Sequence, residues 1–85
     1  IKISAPYPNP FNPQTVIQIE LGQNTHLFAE VIDVSGRFVM QLANEYFQSG
    51  THEINFNKDG LASGIYFIKI HNNEFQHTFK VVLFK

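Results

Sequence analysis

Four histidines, His26, His52, His71 and His77, are the residues of this chain best suited to hold a metal ion, because neutral imidazole is the commonest metal-ligating side chain. A zinc-type site also needs thiolates or carboxylates at ligand spacing. The chain has no cysteine, and no carboxylate pair accompanies the histidines. His52 and His77 fall on otherwise apolar alternations, while His26 and His71 stand beside turns, so core, rim and turn roles account for all four. An acyl-transfer site could be assembled from Ser35 or Ser63 with a histidine and Asp33. Each of those serines, and Asp33, already has a role in a turn. Glu53 and Asp59 lack a second carboxylate at a spacing suited to acid–base work, and Gly60 and Gly64 open no helix that could cradle a phosphate. Without cysteine there is no thiolate nucleophile and no disulfide framework. The expectation is a domain with no catalytic residues, no metal and no cofactor.

Binding chemistry is limited in the same way. Tyr46 and Phe47 could stack on a sugar, but neighbours in an extended chain point to opposite sides, which leaves one of them for that use and makes a hydrophobic plug the simpler reading. The net charge is -1 and the six Lys and Arg residues are scattered, which argues against a nucleic-acid surface. No apolar run is long enough for a membrane-spanning helix. The chain starts at Ile1 without an initiator methionine or a charged-then-apolar leader, as expected of a piece of a longer protein.

The elements that must position these residues are strands. Thr15 to Leu21 alternates with Ile17, Ile19 and Leu21 on one face, the pattern of a half-buried strand. His26 to Ile32 turns Leu27, Ala29 and Val31 inward, and Thr51 to Asn57 does the same with His52, Ile54 and Phe56. Asp33-Val34-Ser35-Gly36 has the residues of a type I turn. A plain turn there puts Phe38, Met40 and Leu42 inward; a bulge at Gly36, the reading preferred here, puts Val39 inward instead. Ala43 to Ser49 reads as an irregular connection. Asn57 to Gly60 and Ser63-Gly64 are turn signals. From Leu61 to Lys85 the chain reads as a hairpin. With Asn72 and Asn73 at a two-residue tip, Ile70 faces Phe75, Ile68 faces His77 and Tyr66 faces Phe79. Prolines at positions 6, 8, 10 and 13 cannot donate to a ladder, so that segment is a loop that plugs one end of the core with Tyr7 and Phe11. No stretch of ten residues has a helical apolar period. Six or seven short antiparallel strands in 85 residues indicate an all-β, immunoglobulin-like β-sandwich.

Several motifs occur together and in order: Tyr7-Pro8-Asn9-Pro10-Phe11-Asn12-Pro13, Asp33 with Gly36, Arg37 and Val39, Gly50 and His52, Ala62-Ser63-Gly64-Ile65-Tyr66-Phe67, and Lys80-Val81-Val82-Leu83. In this the sequence resembles the type A C-terminal sorting domain of the type IX secretion system over nearly its whole length. One departure is Phe56, where many members carry tryptophan; both are large core aromatics. The resemblance implies a single C-terminal domain spanning residues 1–85, covalently linked to an upstream cargo that passes through the periplasm and ends up secreted or on the cell surface. The implied partners are the outer-membrane translocon and a sortase-like cysteine protease that removes the domain. Since the end of the chain carries the information in this family, Lys80, Val81, Val82, Leu83 and Lys85 are the candidate recognition residues, through an open strand edge and two cations for an acidic partner. Gly36, Ser63 and Gly64 are assigned to turn geometry, and Arg37 to a turn with a surface contact. Readings from other classes are a carbohydrate-binding or adhesion module and a structural spacer similar to the domain of flagellar hook-capping proteins.

Overall fold

Alternation of apolar and polar residues fixes which side of most strands faces inward, and the computed structural model, which describes residues 1–57 and 60–84, shows seven strands among them. They are β1 (Lys2–Ile3), β2 (Gln14–Leu21), β3 (Thr25–Asp33), β4 (Phe38–Phe47), β5 (Gly50–Asn57), β6 (Gly64–His71) and β7 (Gln76–Leu83). They form two antiparallel sheets, ordered β1-β2-β5 and β4-β3-β6-β7. This is an immunoglobulin-like arrangement in which β4 lies beside β3 rather than beside β5. No helix occurs among the described residues.

Ile17, Ile19 and Leu21 from β2, with Ile54 and Phe56 from β5, pack against Leu27, Ala29 and Val31 of β3, Tyr66, Ile68 and Ile70 of β6, and Val81 and Leu83 of β7. Burial at every second residue is what a sandwich requires of each strand. Tyr66 adds a polar tie, its hydroxyl donating to the Ala62 carbonyl at 2.7 Å. A tyrosine early in the sixth strand bonded back to the preceding corner is a recurrent immunoglobulin-fold device.

The Gly36 bulge is present. Gly36 N–H donates to the Asp33 carbonyl at 2.9 Å, and Asp33 N–H to the Arg37 carbonyl at 2.9 Å. Gly36 has a φ of 84°, the left-handed conformation such a bulge asks of its glycine. Val39 packs against the core and Phe38 lies outside, 62% exposed. Met40 and Leu42 also touch the core, because the β3–β4 register shifts twice more, between Val31 and Ile32, which sets Met40 opposite Val31, and between Ala29 and Glu30, beside Leu42.

Three expectations are corrected. The β6–β7 hairpin has a four-residue loop, 72–75, and pairs Ile70 with His77, Ile68 with Phe79 and Tyr66 with Val81. The reason is Asn72, whose Oδ1 accepts from Glu74 N–H at 2.7 Å and Phe75 N–H at 3.1 Å, a side-chain turn that lengthens the loop. Ala43 to Phe47 is not an irregular connection but the second half of β4, with Phe47 buried and Tyr46 exposed. Tyr7 does not pack down: it is 80% exposed, while Pro6 and Phe11 are buried. Of the expected Asn57 to Gly60 turn, Lys58 and Asp59 lie outside the described residues.

Candidate recognition surface at the C-terminal strand

The proline-rich segment is the element that positions the last strand. It first follows the edge of β2, with Ser4 N–H donating to the Gln18 carbonyl at 2.9 Å and Tyr7 exchanging bonds with Val16 at 3.0 and 3.1 Å. It then crosses to the other sheet and runs beside β7, where Phe11 N–H donates to the Val82 carbonyl at 2.8 Å and Phe84 N–H to the Phe11 carbonyl at 3.1 Å. Between these points Pro8 and Pro10 have no N–H to give. Asn9 makes up the deficit with its side chain, Nδ2 donating to the Lys80 carbonyl and Oδ1 accepting from Val82 N–H, both at 2.9 Å. A carboxamide has one donor side and one acceptor side like a peptide unit. Asn9 thus stands in for a strand residue where the backbone cannot. Phe11 anchors the strap, fully buried with its ring centroid 5.1 Å from that of Phe56.

This corrects the expected open edge. The outward backbone groups from the Lys80 carbonyl to Phe84 N–H are held by Asn9 and Phe11, so the terminal half of β7 offers side chains rather than free backbone. Of the candidate recognition residues, Lys80 is exposed and Val82 half-buried on the outer side, whereas Val81 and Leu83 are core residues. Lys85 lies outside the described residues. Among the motif residues, Pro8, Pro10, Asn12 and Pro13 are exposed around the strap, Ser63 is exposed before β6, and Gly64 pairs with Leu83. Gly50 begins β5 opposite Leu21.

Asp33 and Arg37 form a closed turn. Asp33 Oδ1 accepts from Ser35 N–H at 2.9 Å and Arg37 N–H at 3.0 Å, and Arg37 Nε donates to Oδ2 at 3.2 Å. The Arg37 N–H bond, the largest cause, acts with the Ser35 bond and the guanidinium charge to hold the Asp33 carboxyl below its usual range against the opposing effect of desolvation.

The histidines are occupied separately. His52 Nε2 meets the Gln48 carbonyl at 2.6 Å, His26 Nε2 meets Asn44 Oδ1 at 2.7 Å and His71 Nε2 meets Glu30 Oε1 at 3.1 Å. His77 is exposed, with its ring stacked on Phe79. Among the described residues no three His, Asp or Glu side chains converge on a point that could hold a metal. The rings of Phe28 and His71 stack on each other at 5.3 Å and 16°, facing one another rather than presenting a flat sugar platform.

Asn9 is a motif residue whose structural role sequence reading missed. Its signal was an asparagine between two prolines, a side-chain amide placed where the backbone has lost its donors.

The geometry is that of an immunoglobulin-like sandwich whose proline-rich strap pins its last strand at the surface. A family model described as "Secretion system C-terminal sorting domain" matches residues 5–84. The chain belongs to that family, and is a C-terminal sorting-signal domain of type IX secretion, one that acts with the secretion machinery to send its cargo across the outer membrane. This is not an enzyme family. No curated protein matches the chain.

Proposed function

We propose that residues 1–85 act as one C-terminal domain whose last strand is read by the outer-membrane translocon, through side chains at Lys80, Val82 and Lys85. Val81 and Leu83 contribute from the core side, by fixing the strand that carries the others. The observation that supports this most directly is the division of labour on β7: Asn9 and Phe11 occupy its backbone edge, while Lys80 and Val82 project from its outer face. The cargo is joined upstream of Ile1 and crosses the periplasm before export. A sortase-like cysteine protease then removes the domain.

The test is export of a reporter fused upstream of Ile1 in a bacterium with a working type IX system. Lys80→Glu combined with Lys85→Glu should leave the circular dichroism and melting of the domain unchanged and hold the reporter in the periplasm. Undiminished export of a folded double variant would refute the reading. Truncation from Val81 cannot serve, since it deletes two buried residues and the strap's partners.

A further inference from the structure

A two-layer sandwich needs one apolar face per sheet, yet the four-stranded sheet has apolar residues on both. Leu27, Ala29, Val31, Tyr66, Ile68 and Ile70 face inward. On the opposite side, Phe38, Ile32 and Phe67 are successive cross-strand partners, and Ile65 pairs with Val82 in the adjoining row. Phe38 is 62% and Ile65 39% exposed. Contiguous apolar residues rimmed by polar ones on a soluble surface mark an interaction site.

The rim supplies the sign of the partner. Lys80 completes the Phe38-Ile32-Phe67 row, and Lys69 is the next outward residue of β6. Among the described residues neither lysine forms an ion pair. Glu30, the cross-strand neighbour of Lys69, is bonded to His71 instead, and Asp33 to Arg37. Two ammonium groups with no ion-pair partner among the described residues thus border the apolar rows. An anionic bilayer fits poorly, since electrostatic anchoring takes roughly four to eight clustered cations and the chain carries a net charge of -1.

We propose that this outer face docks a protein surface of the secretion machinery that carries apolar side chains flanked by carboxylates. The sorting signal is then a folded face assembled from β3, β4, β6 and β7, and not a linear tail. The proposal rests on the reading that the domain is recognised by that machinery, and it adds Phe38, Ile65 and Lys69, which are remote from the C-terminus in sequence, to the residues recognised.

The experiment uses the full-length protein that carries the domain, exported by its own machinery. Phe38→Gln with Ile65→Gln, and separately Lys69→Glu, should each reduce export by roughly tenfold or more, as loss of an anchor does at interfaces, with Lys69→Arg close to the parent. The Lys69 variants alter a surface charge, which keeps the test valid should the paired Gln variant not fold. A photo-crosslinking aromatic in place of Phe38 should give an adduct with an outer-membrane component of the machinery, weakened by Lys69→Glu. Parental export by the folded paired variant and by Lys69→Glu would overturn the proposal. So would an adduct with the cargo's own chain or with lipid, each of which assigns the face to another occupant. Failure of the parent protein itself to be exported would instead remove the sorting reading beneath it.

Discussion

Replacing Asn9 with alanine removes both bonds by which a side chain completes the edge of β7. Each is 2.9 Å long, and an intramolecular hydrogen bond contributes about 0.5 to 1.5 kcal/mol net. Asn9 is exposed, so water can reach the groups left behind, and the sum is placed at about 1 to 2 kcal/mol. For a domain of this size that corresponds to a fall in melting temperature of roughly 4 to 15 °C. Asn9→Asp is the sharper variant. It keeps the acceptor for Val82 N–H but sets a carboxylate oxygen against the Lys80 carbonyl, so it should be no better than alanine at pH 7 and should recover as the carboxylate protonates. Amide hydrogen exchange assigns the effect to its place: Val82 N–H should exchange faster in Asn9→Ala, while Phe84 N–H, held by the Phe11 carbonyl, keeps more of its protection. Unchanged melting together with unchanged Val82 protection would refute the view that Asn9 substitutes for a strand backbone.

Two further predictions concern single groups. The depressed Asp33 carboxyl binds protons less readily folded than unfolded, so its stabilisation is fully present above the unfolded carboxylate pKa of about 4 and is lost as pH falls through the lower folded value. Melting curves of the parent and Asp33→Asn from pH 7 to pH 2 should therefore converge at the acid end; a constant gap would count against this account. Thr15 is fully buried and its Oγ1 has no hydrogen-bond partner among the described residues. Thr15→Val, which keeps the shape and removes a desolvated hydroxyl, should stabilise the domain by about 1 to 2 kcal/mol in urea denaturation, and a loss of stability would show that the hydroxyl is satisfied in solution.

Local periodicity made most of the sandwich legible. Ile17, Ile19 and Leu21, or Ile54 and Phe56, differ from their neighbours in polarity, and a strand with one buried face needs no more than that to declare its orientation. The β6–β7 pairing was misplaced by two residues, an even slip, so Tyr66, Ile68 and Ile70 still faced inward even though their partners changed. What escaped was set by side chains acting as backbone. Asn72 reshaped the hairpin tip, and Asn9 rebuilt a strand edge with a residue more than seventy positions away. Such bonds join positions with no periodic relation. The candidate recognition residues were half legible for a related reason: alternation separates Lys80 and Val82 from Val81 and Leu83, but which side of a strand is solvent and which edge is already taken depends on where a distant proline segment comes to rest.

The strap also orders events in time. The contacts that close this side of the sandwich join residues 9–11 to residues 80–84, among the most widely separated pairings the chain can make. Loop closure over such distances comes late in folding. During synthesis, which proceeds at about 5 to 20 residues per second, the strap is made first and lacks its full set of partners on β7 until Phe84 has been added. A chain broken off inside β7 leaves Phe11 without its backbone partners and part of its pocket unbuilt. The full set of strap bonds is therefore open only to chains that contain β7 through Phe84.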